Sequence, residues 1–248
     1  MDHAEALIEE NRSLAVIIRG ADPALRVPTC PEWTLLQLAR HVGRGHRWAA
    51  TMVRERAETP ADPRTVPDGR PPEDPDGVTD WLNSSAQAVL DAVAATGGDT
   101  PIWTFTGPKP AAWWVRRRLH EATVHRADAA IAAGVPFVID PALAADGISE
   151  WLDLVSARPA QADAPALADG ATLHLHATDD GLGAAGEWLI RGSGGAVVWE
   201  PGHGKGDAAV RGPAADLLLA VLRRAPAESV EVLGDATVWT SWLERTGF

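Results

Sequence analysis

The sequence contains no tyrosine and only one cysteine, Cys30, among its 248 residues. With a single cysteine the chain cannot form an internal disulfide, and this favours a reducing, cytoplasmic compartment. Without tyrosine the chain lacks a phenol that enzymes often use as a general acid, so that role must fall to other side chains. These two absences exclude an internal disulfide framework and direct attention to the other polar groups.

Basic charge and long apolar runs are also scarce. The chain has 22 Lys and Arg against 34 Asp and Glu, a formal net charge of −12, and a field of that sign repels phosphate backbones. No run of about 20 apolar residues occurs, and the first segment has acidic residues early instead of the basic and apolar regions of a secretory signal. We therefore expect neither a nucleic-acid partner nor a membrane span.

Apolar residues nevertheless make up 46% of the chain, enough for the cores of two domains. In residues 1–140, helical periodicity and capping residues predict a bundle of four antiparallel helices. We expect these helices at residues 4–19, from Thr34 to 57, from Asp76 or Thr79 onward, and at residues 107–134. The proline-rich segment 59–77 reads as a long surface loop between the second helix and the third.

The pattern changes after residue 140. A helix over 141–156 leads into runs with the character of strands, separated by glycines, and then into a helix with Pro213 in its first turn. A short strand and a closing helix complete residues 141–248. The predicted fold is therefore a four-helix bundle followed by a smaller α+β domain, an antiparallel sheet with helices on one side.

Polar residues form a stripe along the fourth predicted helix. Trp114, Arg118, Glu121, His125 and Asp128 follow one another at spacings of four, three, four and three, so they share one face. Glu121 and His125 lie one turn apart, and their side chains can reach a common ion. On this pattern alone, the alternative is an ordinary solvated helix face.

A third ligand would have to come from another helix, and His41 on the second helix borders that helix's inward stripe. A set of His41, Glu121 and His125 would leave coordination positions open, as catalytic metal sites do. The alternative is that His41 is a core histidine. A zinc-protease motif is excluded because His120 and His125 are five residues apart and face different directions. His46 is expected at the surface.

Two segments in this first half resemble the mycothiol-dependent maleylpyruvate isomerase family. They are "RVPTCPEWTLLQLARHVGR" and, about eighty residues later, "RRLHEATVHRADA". In the second half, "TLHLHATDDG", "GEWLI" and "VRGPAADLLLAVLRR" also resemble that family, so the likeness covers nearly the whole chain. It implies a metal-binding bundle of the DinB type (1–140) and a C-terminal domain of sterol-carrier-like architecture (141–248).

The resemblance implies an enzyme that uses a divalent metal, usually zinc, and mycothiol on a small electrophile such as maleylpyruvate. We expect a monomer, because a two-domain monomer needs no partner to complete the proposed site. The implied metal ligands are again His41, Glu121 and His125, and the implied catalytic arginine is Arg223 or Arg224. The reaction would be isomerisation or S-transfer. Two alternatives remain: a metal-binding stress-response module without thiol chemistry, and a metal-dependent hydrolase of the same fold.

Several further residues have two interpretations each. Arg118 either binds a substrate carboxylate or a developing enolate, or it pairs with a surface acid. Asp128 either orients a ligand histidine or pairs with Arg126 or another helix. Trp33 and Trp114 precede the ligand segments and are expected to wall the pocket, where they would contact the cofactor.

Cys30 is either a catalytic thiol or a small buried side chain at a junction between a loop and a helix. His174 and His176 alternate along a predicted strand and therefore share a face. They either bind a metal or occupy ordinary half-exposed positions, and the sequence favours the second interpretation. The segment "GHGKG" at residues 202–206 lacks the spacing of a phosphate loop and reads as a flexible turn.

Overall fold

The computed structural model describes residues 1–161 and 163–247, which form two compact units, Met1–Phe137 and Val138–Phe248. The first unit is helical and the second combines helices with one larger sheet. This arrangement confirms the predicted fold class. Within the described part of the chain, no helix combines the length and the apolar character that crossing a membrane requires.

The first unit contains four long helices: α1 (His3–Gly20), α2 (Leu35–Arg54), α3 (Pro75–Thr96) and α4 (Trp113–Ala133). Helix α1 packs against α4 and α3, and α2 packs against α3 and α4. The core between them is built from fully buried aliphatic side chains, among them Leu14, Leu38 and Leu82. Two short ribbons complete the unit: β1 (Arg26–Val27) with β2 (Cys30–Thr34), and β3 (Pro101–Ile102) with β4 (Lys109–Pro110).

Local capping explains where these helices begin. Thr34 and Gln37 form a reciprocal capping box at the start of α2, as the sequence predicts a cap at Thr34. The start predicted for α3 was wrong, because Asp74 is the cap and its carboxylate accepts the Gly77 backbone N–H at 2.6 Å. Helix α4 begins later than residue 107 because Lys109–Pro110 pairs as a strand.

Among the described residues of the second unit, three segments are α-helical: α5 (Pro141–Ser156), α6 (Ala214–Val221) and α7 (Ala236–Arg245). Its sheet is built from β5 (Thr172–Ala177), β6 (Glu187–Ser193), β7 (Ala196–Pro201), β8 (Ala208–Gly212) and β9 (Glu231–Gly234). Their order across the sheet is β7-β6-β5-β8-β9. Strand β5 is therefore central, which fits its almost fully buried side chains.

The expectation of an antiparallel sheet was wrong, because β5 and β8 pair in parallel. Strands β5, β6 and β7 form an antiparallel meander, so β6 already occupies one side of β5. The chain then crosses from β7 to the vacant side of β5, and β8 enters there in the same direction as β5. A crossover of this kind leaves no signal in the alternation of any single strand.

Candidate metal centre

Helices α2 and α4 bring the three predicted ligand residues together. His41 Nε2 lies 3.5 Å from Glu121 Oε2, and His125 Nε2 lies 3.6 Å from the same oxygen. The centroids of the two imidazole rings are 4.9 Å apart. One donor atom from each residue lies within 4.8 Å of the other two. The three side chains therefore meet at one point, although they come from segments about eighty residues apart.

These distances fit a divalent cation. In a tetrahedral site with bonds of about 2.0–2.1 Å, two ligand atoms are about 3.3–3.4 Å apart. The observed separations of 3.5 and 3.6 Å are close to that value. Two imidazoles and one carboxylate would fill three of the four positions, and the fourth would be open to another molecule. The donor set thus suits zinc or a similar first-row ion.

Two arginines of α4 hold Glu121 in its charged form. Arg117 donates to Oε1, and an Arg118 nitrogen lies 3.7 Å from Oε2, the oxygen that faces the histidines. Burial opposes ionisation of Glu121, but Arg117, the two histidines and Arg118 outweigh it and hold the pKa well below its usual range. Glu121 is therefore a carboxylate at neutral pH, and the charge a metal ligand needs is already present.

His125 is oriented by a buried carboxylate one turn along α4. Its Nδ1 lies 2.8 Å from Asp128 Oδ2, and the other oxygen of Asp128 accepts the Thr29 hydroxyl at 2.6 Å. Arg126 instead makes two hydrogen bonds to Glu10 of α1, at 2.8 and 3.1 Å. An N–H at Nδ1 directed to Asp128 leaves the Nε2 lone pair of His125 facing Glu121.

The two histidines of the centre titrate differently. Burial lowers the pKa of His41, and the neighbouring His125 adds to this effect, so the His41 imidazole is neutral at pH 7. Burial also opposes protonation of His125, but hydrogen bonds to Asp128 and Glu121 outweigh it and raise the pKa. A metal ion would therefore meet one neutral imidazole and compete with a proton at the other.

Arg118, a predicted catalytic residue, is buried in a polar network. Its Nε donates to His46 Nδ1 at 3.1 Å, and an Nη atom donates to the Val42 carbonyl at 3.2 Å. His46 Nε2 lies 3.2 Å from the Asn11 side-chain oxygen. A Cβ at Gly45 would stand 2.6 Å from the guanidinium, so glycine makes room for it. The expectation that His46 lies at the surface was wrong: it is fully buried beneath Arg118.

The two tryptophans predicted to wall the pocket have different surroundings. The Trp33 ring lies 4.6 Å from the His41 ring and 6.0 Å from the His125 ring, so it borders the centre. Trp114 is fully buried within an aromatic cluster that includes Trp48 and Trp103. Its position does not fit the predicted pocket role, because a side chain with no exposed surface offers nothing to a bound molecule.

Cys30 lies at the edge of the centre, with its sulfur 3.8 Å from Asp128 Oδ2. Cys30, His125 and Asp128 also form a group of donor atoms close enough to hold a cation. That group would use His125 through Nδ1, the nitrogen already directed to Asp128. The set with His41 and Glu121 uses Nε2 and keeps the Asp128 contact intact, so we favour it as the metal centre.

Arg223 and Arg224 follow helix α6 in the second unit, and their catalytic role stays a prediction. Arg223 is exposed and has a positive φ of 59°, a backbone conformation that few residues other than glycine adopt. Arg224 is half-buried and donates to the Leu222 carbonyl at 2.7 Å. Exposure thus favours Arg223 as the arginine available to a ligand.

The sequence pattern did not identify two residues that support the centre. Arg117 stands four residues before Glu121, and that spacing could have indicated the ion pair. Thr29 is 99 residues away from Asp128 and carries no local signal for its hydrogen bond. Only the packing of the ribbon β1–β2 beside α4 places it there.

Two family models match the chain. The mycothiol maleylpyruvate isomerase N-terminal domain matches residues 4–130, and the C-terminal domain of the same family matches residues 142–241. A crystal structure of the mycothiol-dependent maleylpyruvate isomerase is similar over 93% of this chain and 91% of its own, with a TM-score of 0.58 and 17% identity. A mutant of that enzyme with one histidine replaced by alanine gives a TM-score of 0.57 at 15% identity, with the same coverage of both chains.

A comparison with curated proteins finds no match. The two solved structures agree with this chain in fold, and the two domain models together cover most of its length. On the strength of these domain matches, the chain belongs to the mycothiol-dependent maleylpyruvate isomerase family.

Proposed function

We propose that the protein is a metal-dependent isomerase or S-transferase that uses mycothiol, a low-molecular-weight thiol, on a small electrophile such as maleylpyruvate. One observation carries this proposal: His41, Glu121 and His125 meet with the spacing of metal ligands in a chain of this family. Zinc is the proposed ion, because its sites combine imidazole with carboxylate. The proposed enzyme is a cytoplasmic monomer whose partners are small molecules, not nucleic acid or membrane.

When bound, the cation would favour the thiolate form of the thiol, and the thiolate would supply reversible addition to the substrate's double bond, which permits rotation about it. The residues of the chain prepare the site for this chemistry. Arg117 and Arg118 keep Glu121 ionised, and Asp128 fixes the orientation of His125. The Trp33 ring lies against the His41 ring and borders that side of the site.

An arginine is the natural partner for a substrate of this class. Its planar guanidinium matches a carboxylate in two hydrogen bonds and stabilises the negative charge of an enolate. Arg118 is committed to His46 and Val42 and lies beside Glu121, so we propose a positioning role for it. We propose Arg223, with Arg224 as the alternative, as the arginine that binds substrate.

The decisive experiment combines elemental analysis of the purified protein with turnover assays on maleylpyruvate and a panel of other electrophiles, each with and without added mycothiol. We expect turnover to require both metal and thiol, and His125→Ala to lower it by more than about 100-fold together with metal content. His3→Ala, at the start of α1, serves as the matched control and should change neither.

Two results would contradict the proposal. If a folded His125→Ala protein loses no equivalent of metal relative to the unaltered chain, the ligand assignment is wrong. If turnover proceeds at full rate without thiol, the bound ligand is water and the enzyme is a hydrolase.

A further inference from the structure

A second cluster of metal-ligand side chains lies on the sheet of the second unit. His174 and His176 alternate on β5, and His176 stands directly opposite Glu187 of β6. The three side chains therefore share one face of the sheet. His203 joins them from the segment that follows β7. One donor atom from each of the four residues lies within 4.8 Å of the other three.

The distances within this cluster are centred on one carboxylate oxygen. Glu187 Oε2 lies 2.7 Å from His203 Nδ1, 3.0 Å from His174 Nε2 and 3.8 Å from His176 Nδ1. These values bracket the separation of about 3.3–3.4 Å between ligand atoms in a tetrahedral zinc site. Small movements of the side chains around a cation would equalise them.

The backbone is built to hold His203 over the sheet. Gly202 N–H donates to the Glu187 carbonyl at 2.9 Å, which extends the β6–β7 ladder by one residue and places His203 beside Glu187. A Cβ at Gly206 would stand 2.5 Å from the Ala208 carbonyl and 2.9 Å from the His174 backbone nitrogen. Gly206, together with Gly202 at a positive φ of 123°, thus lets the loop 202–206 close against β5. The sequence predicted a flexible turn here, and that prediction does not account for the close packing of the loop against β5 and β6.

The exposure of the four residues also fits a bound ion better than a chance surface group. His174 is 4% exposed, and a histidine buried on a sheet face needs a polar partner. His203 is largely exposed and could point freely into solvent, yet it lies against Glu187 and the His174 ring. An exposed loop histidine turned toward two other histidines and a carboxylate is the arrangement of a ligand.

We propose that His174, His176, Glu187 and His203 form a second divalent-metal site, closed and structural, that binds zinc and fastens the loop 202–206 to the sheet. Three imidazoles and one carboxylate complete a tetrahedron, so the site has no open position for a substrate. It is separate from the centre of His41, Glu121 and His125 in residues and in unit. The inference does not depend on the proposed catalytic function.

The test uses the full chain with the first centre removed. The variant His41→Ala/His125→Ala deletes two of the three ligands in the bundle. Zinc stoichiometry is measured by equilibrium dialysis after chelator treatment, and Co²⁺ titration reports tetrahedral geometry through its visible absorption. We expect one zinc per chain, an intense tetrahedral Co²⁺ spectrum and a higher thermal midpoint with zinc. A variant that binds neither ion would overturn the proposal, whatever the unaltered chain does catalytically.

Ligand identity is tested on the same background. Adding His203→Ala should weaken zinc binding by about 100-fold or more, beyond the cost of losing an outer-shell partner. Lys205→Ala, an exposed residue of the same loop, is the matched control and should leave binding unchanged. Equal affinity in the two variants would exclude His203 as a ligand.

A spectroscopic measurement avoids any change to the second unit. In the His41→Ala/His125→Ala chain, zinc should shift the NMR ring signals of His174, His176 and His203. The rings of His3, His46 and His120 lie outside the cluster and serve as internal references. Zinc-dependent shifts at the reference histidines, with the signals of His174, His176 and His203 unchanged, would refute the assignment.

Discussion

At the scale of single residues, the candidate centre depends on how buried polar groups are paired. Asp128 has no exposed surface and contacts both His125 and Thr29. It fixes which imidazole nitrogen of His125 carries the proton, and therefore which nitrogen can bind a metal. The hydrogen bond at Nδ1 of His125 thus determines that Nε2 is the nitrogen available to a metal.

Replacing Asp128 with Asn should weaken metal binding by about 10–100-fold, because an amide no longer fixes the His125 tautomer as a carboxylate does. Competition with a chromogenic chelator measures this change. Glu10→Gln is the control, since it alters another buried carboxylate that pairs with α4 through Arg126. It should lower stability and leave metal affinity intact. Equal losses of affinity in both variants would show a general effect of buried charge.

A second prediction at this scale concerns pH. Burial and the adjacent Arg118 hold the pKa of His46 well below its usual value. The folded state therefore binds fewer protons at His46 than the unfolded chain, whose histidine titrates near pH 6.5. With respect to His46, the folded protein is therefore most stable above about pH 6.5, where the imidazole is neutral in both states. As the pH falls below that value, the free energy of unfolding drops by up to about 1.4 kcal/mol per pH unit.

His46→Gln tests this dependence, because glutamine can accept from Arg118 and donate to Asn11 but does not titrate. Urea unfolding of the metal-free protein between pH 5 and pH 8 gives the free energy of unfolding for each form. We expect the difference between native and variant protein to change with pH below about 6.5. Parallel curves over the whole range would contradict the assignment.

At the scale of elements, close approach of helices α2 and α3 positions the segment that carries His41. A Cβ on Gly43 would stand 2.2 Å from the Trp81 ring, so only glycine allows the present packing. Trp81 is itself fixed, since its indole N–H donates to the Asp68 carbonyl at 2.7 Å. The distance between α3 and the helix that carries His41 thus depends on Gly43, two residues further along the chain.

Gly43→Ala should therefore lower the free energy of unfolding by about 1–3 kcal/mol through overpacking, despite alanine's better helix propensity. Gly20→Ala, at the end of α1, is the matched control because no atom lies within 4 Å of the added Cβ. It should be neutral or stabilise by up to about 1 kcal/mol. Similar effects of the two changes in chemical denaturation would refute the steric argument.

At the scale of the whole molecule, the bundle supplies the candidate centre and the second unit supplies the predicted arginine. The family models match both parts of the chain, residues 4–130 and 142–241.

Arg223→Ala should lower kcat/KM for a dicarboxylic substrate by about 10²–10³-fold while metal content stays unchanged. Arg224→Ala is the comparison, and its smaller exposure and contact with Leu222 predict a smaller effect on turnover. Steady-state kinetics with elemental analysis of each variant provides the measurement. A larger loss in Arg224→Ala would assign the role to the second arginine, and normal rates in both would remove the arginine from the proposal.

The sequence by itself determined the features that follow from local geometry. Residues three or four apart on a helix are always neighbours, so the pairs of His125 with Glu121 and with Asp128 were open to prediction. The cap at Thr34 and the change from bundle to α+β domain also follow from local pattern. The single cysteine likewise excluded a disulfide without any structure.

Tertiary structure alone decided which distant groups meet. It buried His46 under Arg118, enclosed Trp114 among other aromatic rings and brought His203 to Glu187. It also inserted β8 parallel to β5, against the expectation of an antiparallel sheet. The physical reason is the same in each case: a local pattern specifies which face a side chain occupies, whereas the partner across that face depends on how whole elements pack.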